Sequence, residues 1–138
     1  MTTSVCLVVG LLLLGISQIS ALTNEERAFL IKAVHDNCVE LTGVEEQMIT
    51  DCSNGIFAED ERLKCYMKCL LISGFIMDEA TGELNLKHLA SMIPEEMKAE
   101  AVPIINECGT VKGANNCETA FLTNKCWHSK DPEKYHLL

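Results

Sequence analysis

The spacing of its cysteines constrains the fold of this chain more than any other feature of the sequence. Six of the eight cysteines are separated by 26, 3, 38, 8 and 8 residues: Cys38, Cys65, Cys69, Cys108, Cys117 and Cys126. In an exported chain, cysteines in so regular a set pair as disulfides, and the crosslinks restrict how the intervening segments can pack. We therefore expect a small domain held by three disulfides.

An apolar amino-terminal stretch indicates that the chain is exported. Residues 5–16 are apolar apart from one cysteine and two glycines, and no charged residue precedes Glu25. The stretch is shorter than the roughly 20 residues that span a bilayer and is typical of a secretory signal peptide. We predict cleavage after Ala21, so that residues 1–21 are the signal peptide and residues 22–138 form a single domain, secreted to the extracellular fluid.

The mature domain is strongly acidic. The chain has 20 Asp and Glu residues against 11 Lys and Arg residues, a net charge of −9, and all of them follow the predicted signal peptide. A negatively charged surface repels phosphate backbones and anionic membrane surfaces, which argues against nucleic acid as a partner. The composition favours a protein of an aqueous extracellular fluid.

The sequence lacks the common motifs of catalysis and metal binding. It contains no G-x-S-x-G, phosphate-binding loop or H-E-x-x-H, and no C-x2-C pair that would suggest zinc. The segment 35–38 (HDNC) is similar to the His-Asp-x-Cys core of secreted phospholipases A2, but the glycine-rich calcium loop of that family is missing. We predict no catalytic residue, no metal and no cofactor, and hence a protein that is not an enzyme.

The periodicity of apolar residues predicts an all-α domain. Apolar residues recur every three or four positions in the mature chain, where glycine and proline are sparse. Thr23 and Glu26 have the pattern of a capping box, which predicts that a helix starts there. The predicted helices cover about 24–41, 44–52, 59–74, 86–92, 94–108 and 116–126, with a kink at Pro103 and an extended tail from His128.

Helical geometry limits the pairing of the cysteines without deciding it. Cys65 and Cys69 lie about one turn apart on the same helical face, so they should bond to two different partners. Cys117 and Cys126 are nine residues apart, about two and a half turns, which places them on opposite faces of one helix. Six cysteines allow fifteen connectivities, and these arguments leave the choice open.

One cysteine is left over when Cys6 leaves with the signal peptide. Cys52 lies outside the regular spacing, and we assign it as the unpaired thiol. Two interpretations are open: a buried, inert thiol, or an intermolecular disulfide between two copies of the chain. The protein is accordingly predicted to be a monomer or a homodimer.

Three features of the sequence resemble a known family. They are the order of the six cysteines, the segment 64–71 (KCYMKCLL) and the ending 126–135 (CWHSKDPEKY). In these the chain resembles the insect odorant-binding proteins, the pheromone-binding and general odorant-binding family with six cysteines. The resemblance implies a compact bundle of about six helices around an apolar cavity, held by three interlaced disulfides: Cys38–Cys69, Cys65–Cys117 and Cys108–Cys126.

The same resemblance implies a carrier of small hydrophobic molecules, odorants or pheromones, through aqueous fluid to a membrane receptor. Tyr66, Thr123 and Tyr135 are candidate polar anchors for such a ligand. The tail could fold over the mouth of a cavity or be a loose terminus. By spacing alone an ordinary core is the better interpretation of the following ten residues, and only the resemblance implies that they line the cavity: Val34, Met67, Ile72, Phe75, Leu86, Leu89, Ile105, Leu122, Trp127 and Tyr135.

Other interpretations of the sequence stay open. A non-olfactory carrier of the same fold in haemolymph, saliva, taste organs or reproductive fluid would show the same features. A secreted protein that binds another protein through its acidic face would have no cavity. Four histidines could make ligand binding sensitive to mild acidity or be ordinary surface residues: His35, His88, His128 and His136.

Overall fold

The computed structural model describes residues 22–137 of the chain. Within them lie six helices, numbered here in chain order: α1 (Asn24–Thr42), α2 (Glu46–Ser53), α3 (Glu61–Ser73), α4 (Leu86–Met92), α5 (Glu95–Cys108) and α6 (Asn116–Lys130). Residues 22–137 contain no strand, and their one β-type pairing is an isolated antiparallel bridge between Met77 and Leu84. The prediction of an all-α fold with about six helices is confirmed. The predicted signal peptide and its cleavage site lie outside the described residues.

Contacts divide the chain after Ala33, within α1, into two units that we describe separately. The described part of the first unit is residues 22–33, the amino-terminal half of α1. Thr23 Oγ1 accepts a hydrogen bond from the backbone N–H of Glu26 at 3.1 Å, and Glu26 Oε2 accepts one from the backbone N–H of Thr23 at 2.7 Å. This reciprocal pair confirms the predicted capping box at the start of α1.

Short polar side chains start three helices of the second unit, which spans residues 34–137 of the described chain. Asp60, Asn85 and Asn115 each accept a hydrogen bond from a backbone N–H in the first turn of α3, α4 and α6. These caps satisfy donors that have no partner inside the helix. Because capping is local in sequence, the predicted starts of these helices lie close to the observed ones.

Two of the differences from the predicted helix boundaries involve proline. α6 continues to Lys130, so His128 lies within the helix and not in an extended tail. The helix ends at Lys130 with Asp131 as its cap, because the ring of Pro132 disfavours a helical backbone in the residue before it. Pro94 immediately precedes α5 as its cap, with ψ of 142°, and does not occupy the first helical position.

Three disulfides join four helices, and all their cysteines belong to the second unit. They tie α1 to α3, α3 to α6 and α5 to α6 through the pairs Cys38–Cys69, Cys65–Cys117 and Cys108–Cys126, with Cα–Cα distances of 5.7, 4.5 and 5.9 Å. The pairs interlace along the sequence, as the resemblance implies. Since α3 and α6 each carry two bridges, these two helices form the centre of the crosslinked framework.

The core of the second unit lies between α3 and α6. Leu63, Tyr66 and Met67 of α3 are fully buried, as is Phe121 of α6. Phe57, in the loop before α3, packs edge-on against Phe121 with the ring centroids 5.9 Å apart. Removal of these apolar side chains from water is the main favourable contribution to folding. The two helices thus provide the platform on which the remaining elements pack.

The cap of α3 predicts a specific sensitivity to acid. The guanidinium and the backbone N–H of Arg62 donate to the Asp60 carboxylate at 2.8 to 3.0 Å, and they lower the pKa of Asp60 to about 2. A carboxylate with a folded-state pKa below its unfolded value of about 3.9 stabilises the fold above that value, and this contribution is lost as the pH falls towards the folded-state pKa.

We therefore expect Asp60→Asn to be less stable than the wild type at pH 6, and we expect this difference to shrink as the pH falls from 6 to 2. The amide keeps an acceptor for the cap but does not titrate, so only the charge-dependent part of the interaction is removed. Urea unfolding midpoints of both proteins across this pH range measure the difference. A difference that is the same at both ends of the range would contradict the assignment.

Candidate ligand-binding site

The residues predicted to line a cavity meet mostly in the interior of the second unit. Ile105 of α5 is buried, whereas Phe75 is 83% exposed. The other eight belong to the core or pack against it, and we call them the interior cluster: Met67, Tyr135, Val34, Ile72, Leu86, Leu89, Leu122 and Trp127. The structure thus gathers side chains from α1, α3, α4, α6 and the carboxyl-terminal segment. That these residues contact a ligand stays a prediction.

Phe75 is turned away from the interior cluster by the end of α3. The helix stops at Ser73, and Phe75 has a φ of 57°, in the left-handed region that non-glycine residues seldom adopt. Residues three apart share a face only within a helix, so the spacing from Ile72 to Phe75 does not place both in the core. Ile72 and Phe75 both border an open surface groove of about 590 Å³, which is also lined by Met77, Leu84 and three carboxylates.

Tyr66 is the centre of a hydrogen-bonded chain that joins three helices. Its hydroxyl is 2.7 Å from Nδ1 of His35 on α1, and Nε2 of His35 is 2.8 Å from a carboxylate oxygen of Glu46 on α2. When Nε2–H donates to Glu46, Nδ1 accepts the proton of the Tyr66 hydroxyl. Burial, followed by the negative charges of Glu46 and Asp36, raises the pKa of Tyr66. The protein itself thus engages the hydroxyl of this candidate anchor.

The other two candidate anchors are also engaged by protein groups. Thr123 Oγ1 accepts a hydrogen bond from the backbone N–H of Val111 at 3.0 Å, and the hydroxyl of Tyr135 donates to Asn124 Oδ1 at 2.8 Å. Asn124 Nδ2 in turn donates to the carbonyl of Ala120 at 2.9 Å. Sequence periodicity does not identify Asn124, because its role depends on a tyrosine that follows the helix.

The carboxyl-terminal segment after α6 folds back onto the rest of the second unit. Tyr135 is buried, and its ring centroid lies 5.9 Å from that of Phe57 and 5.5 Å from that of His128. This arrangement argues against a loose terminus, whereas a tail that covers the mouth of a cavity stays a prediction. The last residue, Leu138, lies outside the described residues.

Removing the hydroxyl of Tyr135 should weaken the attachment of this segment. Tyr135→Phe keeps the ring but deprives the buried Oδ1 of Asn124 of its donor, and an unsatisfied buried acceptor costs about 1–3 kcal/mol. We expect the free energy of unfolding, measured in urea, to fall by that amount. In the Tyr135→Phe background, Asn124→Ala should cost less than it does in the wild type, and strict additivity of the two substitutions would contradict the hydrogen bond.

Cys52 carries a free thiol inside the second unit. Its side chain is fully buried, and its Sγ is 3.3 Å from the carbonyl oxygen of Met48. Burial, together with the charge of Asp51, raises the pKa of this thiol to about 11. Disulfide exchange needs an accessible thiolate, so a protonated and buried thiol is unreactive. Between the two interpretations of Cys52, the structure favours the inert thiol over an intermolecular link.

We expect Cys52 to react with dithionitrobenzoate only when the protein unfolds. At pH 8, a pKa of about 11 leaves roughly a hundredfold less thiolate than a pKa near 9, and burial slows the reaction further. One equivalent of thiol should appear on addition of guanidinium chloride, and none in its absence. Cys52→Ser is the matched control and should release none in either state. Rapid release from the native protein would contradict the burial.

Two further properties concern the described part of the chain. Between residues 22 and 137, no three His, Cys, Asp or Glu side chains are grouped so that they could hold a metal ion. In the same range, no helix has both the length and the apolar character needed to cross a membrane. The interior cluster presents apolar side chains from several helices, which suits contact with an apolar molecule.

The chain is similar to known proteins in sequence and in structure. The model of the PBP/GOBP family matches residues 20–130. General odorant-binding protein 69a of Drosophila melanogaster is 28% identical over 98 residues, which cover 70% of this chain and 66% of that protein, just under two thirds of its length. The crystal structure of an odorant-binding protein of the medfly is 33% identical, with a TM-score of 0.65, and the match covers 73% of this chain and 87% of that one.

A second solved structure covers more of the chain. Odorant-binding protein 7 of Anopheles gambiae, which has four disulfide bridges and was solved in complex with an azo compound, is 27% identical and matches with a TM-score of 0.67. The match covers 86% of this chain and 99% of that one. Because the family model spans most of the sequence, including all six paired cysteines, this chain belongs to the PBP/GOBP family.

Proposed function

We propose that the mature chain is a secreted carrier, which encloses small hydrophobic molecules such as odorants or pheromones and transports them through aqueous fluid to a membrane receptor. One observation carries the proposal: in this chain, which belongs to the PBP/GOBP family, three interlaced disulfides join the helices α1, α3, α5 and α6. Carriage of this kind involves binding and release without a chemical step. Export requires that residues 1–21 act as a signal peptide, and amino-terminal sequencing of the secreted protein should begin at Leu22.

A carrier needs an apolar interior that can accommodate a guest molecule. Most small domains fill their cores to the density of an organic crystal, because burial and dispersion contacts hold the fold together. Here each disulfide contributes stability by lowering the entropy of the unfolded chain, so the fold depends less on a completely filled core. Six members of the interior cluster are only partly buried, which supports a region that can adjust to a guest: Val34, Ile72, Leu86, Leu89, Leu122 and Trp127.

The relatives support a small organic guest. The Anopheles gambiae protein that shares this fold was solved with an azo compound. We propose that the interior cluster contacts the guest of this chain mainly through apolar side chains, with affinity arising from the apolar area removed from water. The acidic surface keeps the loaded protein soluble.

The test is a titration of the purified, oxidised protein with an N-phenylnaphthylamine fluorophore, whose emission rises in apolar surroundings. We expect saturable binding that is displaced by long-chain alcohols, esters or fatty acids and that is lost when the disulfides are reduced. Absence of binding by the oxidised protein would overturn the carrier function. Binding that survives complete reduction would contradict the part assigned to the disulfides.

A further inference from the structure

The indole of Trp127 is a buried hydrogen-bond donor without an acceptor from the protein. Its Nε1 atom is inaccessible to solvent and forms no hydrogen bond with any of the described residues. Among residues 22–137 it is the one buried side-chain nitrogen or oxygen in this situation. A donor that loses water and gains no partner is unfavourable, which is why roughly 90% or more of buried polar groups are paired.

The neighbouring polar groups of α6 differ from Trp127 in this respect. Thr119 Oγ1 accepts a hydrogen bond from the backbone N–H of Gly113 at 2.9 Å, and Thr123 Oγ1 accepts one from Val111 at 3.0 Å. Asn124 uses both its amide nitrogen and its amide oxygen, as described above. The protein therefore supplies partners for these three polar side chains of α6 but none for the indole N–H.

The position of Trp127 is fixed from two sides. The preceding residue, Cys126, is bridged to Cys108 of α5, and the carbonyl of Trp127 accepts a hydrogen bond from the N–H of Asp131 at the end of the helix. The indole packs against the core as a member of the interior cluster. A donor held rigidly among apolar side chains is suited to select guests, because a guest without an acceptor leaves the donor unpaired.

We propose that the Nε1–H of Trp127 donates a hydrogen bond to an oxygen atom of the bound molecule. The chain then selects apolar molecules that carry an acceptor, such as ketones, aldehydes and esters, over hydrocarbons of the same size. This inference rests on the proposed carrier function and adds the chemical class of the guest. It gives Trp127, which the sequence identifies only as an apolar wall, the anchoring role expected of Tyr66, Thr123 or Tyr135.

The first test compares 2-nonanone with n-decane, which has the same number of heavy atoms and no acceptor. Each competes with the N-phenylnaphthylamine probe for the wild type, for Trp127→Phe, and for a protein in which a benzothienylalanine replaces Trp127. The benzothienyl ring has the shape of indole with sulfur in place of N–H, so it removes the donor and little else. We expect the dissociation constant of the ketone to rise roughly tenfold relative to that of decane in both variants, and that of decane to be unchanged in the benzothienyl variant.

The second test observes the donor directly. Trp127 is the only tryptophan of the chain, so a protein labelled with ¹⁵N shows a single indole N–H signal. We expect this signal to move downfield when 2-nonanone binds and to exchange more slowly with solvent, and decane to produce neither change. The chemical shift and the exchange rate of the indole N–H report a hydrogen bond to the guest, and neither would change on ketone binding if the ring had only a structural role.

The outcomes separate this inference from the carrier function. If probe and ketone bind but the ratio of ketone to decane affinity is the same in all three proteins, the indole does not select the guest and the inference is overturned. An indole signal that does not respond to the ketone leads to the same conclusion. If the wild type binds none of the three compounds, the carrier function fails, and the proposed contact fails with it.

Discussion

Replacing both Cys65 and Cys117 by alanine is expected to lower the free energy of unfolding by about 4 kcal/mol. The two cysteines are 52 residues apart in sequence, the widest separation among the three bridges, and their disulfide joins the two central helices α3 and α6. Without it the unfolded chain regains the freedom of a long loop. We expect the variant to lose binding of the N-phenylnaphthylamine probe as well, because α3 and α6 both contribute to the interior cluster.

The matched control is the bridge between Cys108 and Cys126, whose sequence separation is 18 residues. In the same entropic model, its removal costs about 3 kcal/mol, so the two double variants should differ by about 1 kcal/mol. Urea unfolding of both double variants under non-oxidising conditions shows which of the two is less stable. If the variant without the shorter loop is the less stable one, the stabilisation does not come mainly from loop closure.

Phe121→Ala should destabilise the protein by about 3–5 kcal/mol, because it removes a fully buried aromatic ring from the core between α3 and α6. The ring also contacts two cations: Lys64 Nζ lies 5.0 Å and Lys125 Nζ 5.3 Å from its centroid. Lys64 is itself buried and forms an ion pair with Glu59 at 2.8 Å. Alanine leaves a cavity beside this cation and removes the face of the ring that stabilises it.

The chain contains its own control for this substitution. Phe75→Ala exchanges the same residue types at a position that is 83% exposed, where the change in stability should stay within about 0.5 kcal/mol. Chemical denaturation of the two variants beside the wild type gives both values. Equal effects at the two positions would show that Phe121 does not pack as described.

Local signals in the sequence predict much of the helical architecture. The capping box at Thr23 and the caps at Asp60 and Asn115 act on backbone groups a few residues away, so they are visible without any knowledge of tertiary contacts. The end of α6 could have been found in the same way, since Pro132 acts on the residue before it. Apolar periodicity, by contrast, places Phe75 on the inside, whereas its backbone leaves the helix and turns the ring outward.

The all-α fold, the faces on which the cysteines lie and the candidates for an interior cluster can all be predicted from the sequence, because they follow from spacing along single helices. Which polar groups are already paired depends on the packing of distant segments. The hydroxyl of Tyr135 donates a hydrogen bond to Asn124 of α6, and His35 is hydrogen-bonded to both Tyr66 and Glu46. The indole N–H of Trp127 has no hydrogen-bond partner among the described residues. Such pairings depend on atoms that approach within 3 Å only after distant segments have packed, and no periodicity encodes that distance.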